Sequence, residues 1–272
     1  MPGKASRAVA EECCPPGSWP ALMSDESGFR GVIVKMANGA DAYVVAPSDG
    51  STTGKGLVIC QDIYHYLGGR CRGIADQMAD AGYFVVMPSL AGGDTIENHT
   101  MPDKLGWWCK TYGFQSAFRS HLLEGVIPLM REKGVEKAGM MGFCWGAYLV
   151  FEASGDSELT SIFKAAISCH PSYQLHPLVF NGHSEALDLA EKVLIPQLLC
   201  SAGNDKDYVR EGGSIITVLK AKPEIANNCK VVNFDDMLHG WVNRGDASKP
   251  EVEAGVKEAV QLSLNFLKET LS

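Results

Sequence analysis

The sequence predicts an α/β fold built on a mostly parallel, doubly wound sheet, with helices on both faces. Three observations carry this. Continuous apolar runs of strand length recur along the chain, helical stretches separate them, and an antiparallel hairpin precedes the first run. The 272 residues suit one large domain better than two. Apolar residues make up 46% and charged residues 21%, enough apolar material for a sizeable core.

Residues 1–30 read as an N-terminal extended segment packed on the domain, because Cys13-Cys14-Pro15-Pro16-Gly17 and Pro20 break any regular pattern. Residues 31–272 are expected to form a single domain. Val32-Ile33-Val34 and Ala42-Tyr43-Val44-Val45 flank Asn38-Gly39, a hairpin signal. Buried strands follow at Leu57–Cys60, Tyr83–Met87, Ala138–Met141, Ala165–Ile167 and Gln197–Cys200, with Val231–Phe234 as the last. Helices are expected over Cys71–Ala81 and over Gln115–Lys133, the latter bent or ended at Pro128. In the final helix Val252, Val256, Val260, Leu264, Leu267 and Leu271 fall on one face at three- and four-residue spacing.

Composition excludes several classes. A formal charge of −8 argues against a nucleic-acid binder, although one local arginine can still hold an anionic substrate. No apolar run has the length of a membrane span, and Met1–Glu12 lacks a signal-peptide core. Nine cysteines without a CxxC pair point to free thiols in a reducing compartment, hence the cytoplasm.

In doubly wound sheets ligands bind beyond the carboxyl ends of the strands, so the chemistry should lie there. Gly142-Phe143-Cys144-Trp145-Gly146 follows one strand and opens an apolar helix, a G-x-C-x-G form of the nucleophile elbow. The helix start supplies unpaired N–H groups and a positive dipole end, both of which favour a thiolate and a developing oxyanion. A buried structural cysteine in a Gly-rich turn is the bland alternative. Ser201-Ala202-Gly203-Asn204-Asp205-Lys206-Asp207 follows the next-to-last strand, where either aspartate is able to orient a histidine or cap a helix. His239, in Met237-Leu238-His239-Gly240-Trp241, stands after the last strand; His170 and His176 are weaker candidates, and His65, after the Leu57–Cys60 strand, is expected near the mouth of the fold. The order nucleophile, acid, base is that of α/β-hydrolases.

The segments G-F-C-W-G, A-G-N-D and H-G-W-V resemble the dienelactone hydrolase family, and Cys13-Cys14-Pro15-Pro16-Gly17-Ser18-Trp19-Pro20 resembles its eukaryotic, carboxymethylenebutenolidase-like branch. The resemblance implies an α/β-hydrolase fold and a triad of Cys144, Asp205 and His239. It also implies oxyanion donors from the backbone N–H groups of Ile63 and Trp145, and hydrolysis of an ester or lactone through a thioester acyl-enzyme. Bacterial members carry an activating glutamate where this chain has Asp62, one methylene shorter, in Gln61-Asp62-Ile63-Tyr64-His65. Their substrate-binding arginine has no match near Ser89–Gly93, which leaves Arg244 as the candidate for a substrate carboxylate, against surface pairing with Asp246 or Asp94. Tyr64, Trp107 and Trp241 complete the candidate substrate or activation residues, with Trp107-Trp108-Cys109 read either as a pocket wall or as a lid on the core. No cofactor and no metal are expected, since Cys169, His170 and His176 lack further ligands at recognised spacing. The expected partner is a small ester or lactone, carboxylate-bearing ones included, and the chain is expected as monomer or homodimer. A thioesterase or peptidase-like acyl hydrolase on the same triad, and a non-catalytic binding protein of the same fold, are the competing readings.

Overall fold

The computed structural model describes residues 13–22, 28–50, 53–180, 182 and 185–272; the leader reading of Met1–Glu12 lies outside them. Eight strands form one sheet: β1 (Val32–Lys35), β2 (Asp41–Val45), β3 (Lys55–Cys60), β4 (Phe84–Pro88), β5 (Lys137–Phe143), β6 (Phe163–Cys169), β7 (Gln197–Ala202) and β8 (Lys230–Phe234). Their order is β1-β2-β4-β3-β5-β6-β7-β8. The β1–β2 and β2–β4 pairs are antiparallel and the remaining five are parallel, so the predicted hairpin becomes one edge of a mixed sheet.

Alternation along β3 shows how the core is divided. Leu57 and Ile59 face one apolar cluster, which is closed by helix α1 (Cys71–Asp80) and the C-terminal helix (Pro250–Thr270). Val58 and Cys60 face the other, closed by helices that include α2 (Lys104–Thr111), α3 (Ile127–Glu132) and α4 (Trp145–Ala153). A period of two sends successive side chains to opposite faces, and both faces are covered, so the strands read as unbroken apolar runs.

One predicted helix is helical from Phe114 to Glu132 but departs from α geometry. Over Gln115–Lys133 the chain winds as two π-helical segments, Phe114–Phe118 and His121–Val126, before α3. The helix does not end at Pro128, which lies where the second π-helical segment passes into α3. After His239 the chain makes a single helical turn, Trp241–Arg244.

Candidate active site

Cys144 is the N-cap of α4, with φ 54° and ψ −111°. Positive φ is rare for a residue with a Cβ and costs about 1–3 kcal/mol, a strain typical of functional sites. Close backbone approach around the turn requires glycines on either side. A Cβ on Gly142 would lie 2.3 Å from the Gly146 carbonyl oxygen, and one on Gly146 would lie 2.2 Å from that of Gln61.

His239 and Asp205 meet from the tips of β8 and β7. Asp205 Oδ1 is 2.6 Å from His239 Nδ1, both side chains are buried, and Asp205 Oδ2 accepts from the Ala202 N–H at 2.7 Å. The Asn204 side-chain oxygen accepts from the His239 N–H at 2.7 Å and fixes the loop carrying the histidine. Burial works against charge on His239, but the carboxylate of Asp205 and the Cys144 thiol outweigh it and raise its pKa to about 9. Asp207 instead is exposed and starts the short 3-10 turn Asp207–Val209.

The thiol of Cys144 has close neighbours that are not carboxylates. Its Sγ lies 3.3 Å from Ser172 Oγ, 3.5 Å from Cys13 Sγ and 3.6 Å from Cys14 Sγ. Residues 13–20 form a strap across the strand tips, held by nearly every element of the site. The Cys13 carbonyl accepts from Ser172 Oγ and Gln174 Nε2, each at 2.7 Å, and the Pro16 carbonyl accepts from Asn204 Nδ2 at 3.0 Å. The Trp19 N–H donates to the His239 carbonyl at 2.9 Å, and the Trp19 carbonyl accepts from the Arg244 guanidinium. Beneath the strap Cys144 and His239 have no solvent exposure. The three sulfurs of Cys13, Cys14 and Cys144 lie within 4.8 Å of one another, close enough to share a thiophilic ion.

Arg244 is placed neither at the surface nor beside Asp246 or Asp94. It is buried, its Nε is 2.9 Å from Asp62 Oδ2, and its guanidinium lies over the Tyr64 ring at 4.8 Å. Asp62 spends its oxygens on Arg244, on Asn243 Nδ2 at 2.7 Å and on the Tyr64 N–H at 2.9 Å. Burial, the largest influence on Asp62, raises its pKa, and the Arg244 charge opposes this. Trp241 is fully buried against Phe234 and His170. Trp107 is half-buried against His99 and Tyr112, whereas Trp108 packs edge-on to Trp145 at 5.4 Å and borders the elbow. Ile63 is buried beside Asp62, and Trp145 opens α4, whose first N–H groups have no partner within the helix.

The family model of the dienelactone hydrolase family matches residues 40–271. The chain belongs to the dienelactone hydrolase family. An uncharacterized AIM2 family protein of Schizosaccharomyces pombe is 27% identical over 94% of this chain and 98% of its own length. The rat carboxymethylenebutenolidase homolog is 24% identical over 81% of this chain and 85% of its own. A solved structure of a putative dienelactone hydrolase from Klebsiella pneumoniae superposes with a TM-score of 0.62 at 19% identity, covering 89% of this chain and 99% of that one. This dienelactone hydrolase family member is therefore a hydrolase with the α/β-hydrolase fold, of a family that acts on ester or lactone bonds.

Sequence reasoning missed several residues in this hydrolase site. Cys13 and Cys14 carried only a break in pattern and a family resemblance, and nothing local says that they reach a thiol 130 residues away. Ser172 stands in a loop, Gln174 in the short 3-10 turn Tyr173–Leu175 and Asn243 in the helical turn Trp241–Arg244, none of them marked by a motif. His170 was a weak candidate; it is fully buried at φ 40°, its ring 4.9 Å from that of His239, and burial holds its pKa well below the usual value.

Proposed function

We propose that this chain cleaves an ester or lactone through a thioester acyl-enzyme, with Cys144 as nucleophile, His239 as acid and base, and Asp205 as the group that orients His239. The observation that carries the reading is the junction of three strand tips: a cysteine in strained elbow geometry beside a histidine bonded at 2.6 Å to a buried carboxylate. The Cys144 sulfur attacks the carbonyl carbon as His239 holds the thiol proton. The carbonyl oxygen becomes an oxyanion that takes hydrogen bonds from the Trp145 and Ile63 N–H groups. Collapse breaks the C–O bond, and His239 returns its proton to the leaving alkoxide. Water, deprotonated by the same imidazole, then cleaves the thioester and releases the acid.

Substrate needs room that the docked strap fills, so the strap lifts during turnover. Lifting also frees the Arg244 edge now bonded to the Trp19 carbonyl, which suits a small substrate bearing a carboxylate. Nine free, buried thiols fit a reducing compartment, and we place the protein in the cytoplasm. No helix among the described residues is long and apolar enough to cross a membrane.

The test is a panel of lactones, esters, thioesters and peptides offered to wild type and Cys144→Ala. Lactone or ester turnover should fall by at least about a thousandfold in the variant, since removing a triad nucleophile costs up to about a millionfold. Turnover that survives Cys144→Ala would refute the cysteine mechanism, and a preference for thioesters or peptides would change the substrate class.

A further inference from the structure

We propose that the strap cysteines are resolving thiols for Cys144: a hydroperoxide converts Cys144 and one of the pair Cys13–Cys14 into a disulfide that pins the strap over the site. This makes the elbow a reversible oxidation site. The hydrolytic mechanism uses neither strap thiol, yet both sulfurs lie in contact with the nucleophile, at 3.5 and 3.6 Å, on a segment 130 residues away in sequence. Their placement is held by specific bonds. Ser172 and Gln174 hold the Cys13 carbonyl, Asn204 holds that of Pro16, and His239 and Arg244 hold Trp19 on both sides of its backbone. A segment whose only task were to cover the site would need no sulfur there.

Either strap thiol is in reach as the attacking group, with Cys13 Sγ at 3.5 Å and Cys14 Sγ at 3.6 Å from Cys144 Sγ. Thiolates resolve sulfenic acids, and redox-responsive cysteines are commonly placed beside such a partner.

The chemistry balances with the hydroperoxide as oxidant. When the strap lifts, the Cys144 sulfur attacks the outer peroxide oxygen. An S–O bond forms, the O–O bond breaks, and the alcohol or water leaves with the thiol proton relayed by His239. The strap re-docks and the sulfur of Cys13 or Cys14 attacks that of Cys144. The S–S bond forms, the S–O bond breaks, and hydroxide leaves as water with the proton of the attacking thiol. Two thiols are oxidised to one disulfide, and the peroxide is reduced.

The experiment treats the full-length protein with a small excess of hydrogen peroxide and no reductant. Non-reducing digestion with mass spectrometry then follows Cys144, beside esterase activity before and after dithiothreitol. Wild type should yield a peptide pair joining Cys144 to the Cys13–Cys14 segment and regain most of its activity on reduction. The Cys13→Ser/Cys14→Ser double variant should give Cys144 sulfinic acid and regain less than about a tenth, since that oxidation state resists thiol reductants. Sulfinic acid on wild-type Cys144 without the cross-link, or a disulfide confined to Cys13 and Cys14, would overturn the proposal. If the double variant fails to fold, the wild-type map and the two single variants decide it. The activity arm rests on Cys144 as nucleophile, whereas the cross-link does not, so failure of one reading is separable from failure of the other.

Discussion

One residue, Lys206, separates Asp205 from Asp207, and burial divides their roles. Asp205 is buried with one oxygen on His239 Nδ1 and the other on the Ala202 N–H, whereas Asp207 faces solvent at the head of a short turn. Asp205→Asn should lower kcat by about three to four orders of magnitude, as loss of the orienting acid leaves the imidazole in the wrong tautomer. Asp207→Asn should stay within about tenfold, and steady-state kinetics on one ester would show it; equal losses would refute the assignment. His239 also makes a pH prediction. Its folded pKa, about 9, exceeds the ordinary 6.5, so the folded state binds the proton more tightly. That contribution is complete below about pH 6.5 and is lost as pH rises through about 9. The gap in Tm between wild type and His239→Gln should therefore shrink from pH 6 to pH 9.5, and a gap that widens would contradict the sign. Arg244 and Asp62 form a buried pair, in which removing one partner strands the other charge. Arg244→Gln should cost about 3–5 kcal/mol in urea unfolding, and adding Asp62→Asn should restore a good part of it. A double variant no more stable than the single would show that the two charges do not depend on each other.

At the scale of elements, the elbow is a strand, a strained residue and a helix that touch at backbone atoms. A methyl group on Gly142 or Gly146 meets carbonyl oxygens at 2.3 and 2.2 Å, and a carbonyl oxygen cannot rotate away as a side chain does. Gly142→Ala and Gly146→Ala should each lose about 1–3 kcal/mol or more in thermal unfolding, along with most of the turnover. Gly73, within α1, offers a control: its added Cβ meets only Phe29 at 3.7 Å. Gly73→Ala should be neutral or gain up to about 1 kcal/mol, as expected for alanine in a helix interior. Equal behaviour of all three variants would show that the close approach does not matter. The strands were legible because burial on both faces leaves apolar runs with no alternation to misread, as in Leu57–Cys60. The π winding within residues 114–126 was not legible, since a π turn is chosen by packing and has the same composition as an α turn.

Across the whole molecule, the strap of residues 13–20 is tied to the segments after β6, β7 and β8. Gln174→Ala removes one 2.7 Å bond to the Cys13 carbonyl without touching the thiol of Cys144. With a hydrogen bond worth about 1 kcal/mol, the strap should open about fivefold more often, and iodoacetamide should label Cys144 faster by about that factor. An unchanged labelling rate would mean that this bond does not limit access. The sequence by itself determined the parallel sheet, the elbow at Cys144 and the chain order of the three triad candidates. These depend on local geometry: a strand tip, glycines at a tight turn, and a histidine after the last strand. Tertiary structure alone decided which aspartate meets His239, that Arg244 is committed to Asp62, and that Cys13 and Cys14 rest on Cys144. Those are contacts between residues 34 to 182 positions apart, and a distance across a fold leaves no periodicity or spacing in the chain that carries it.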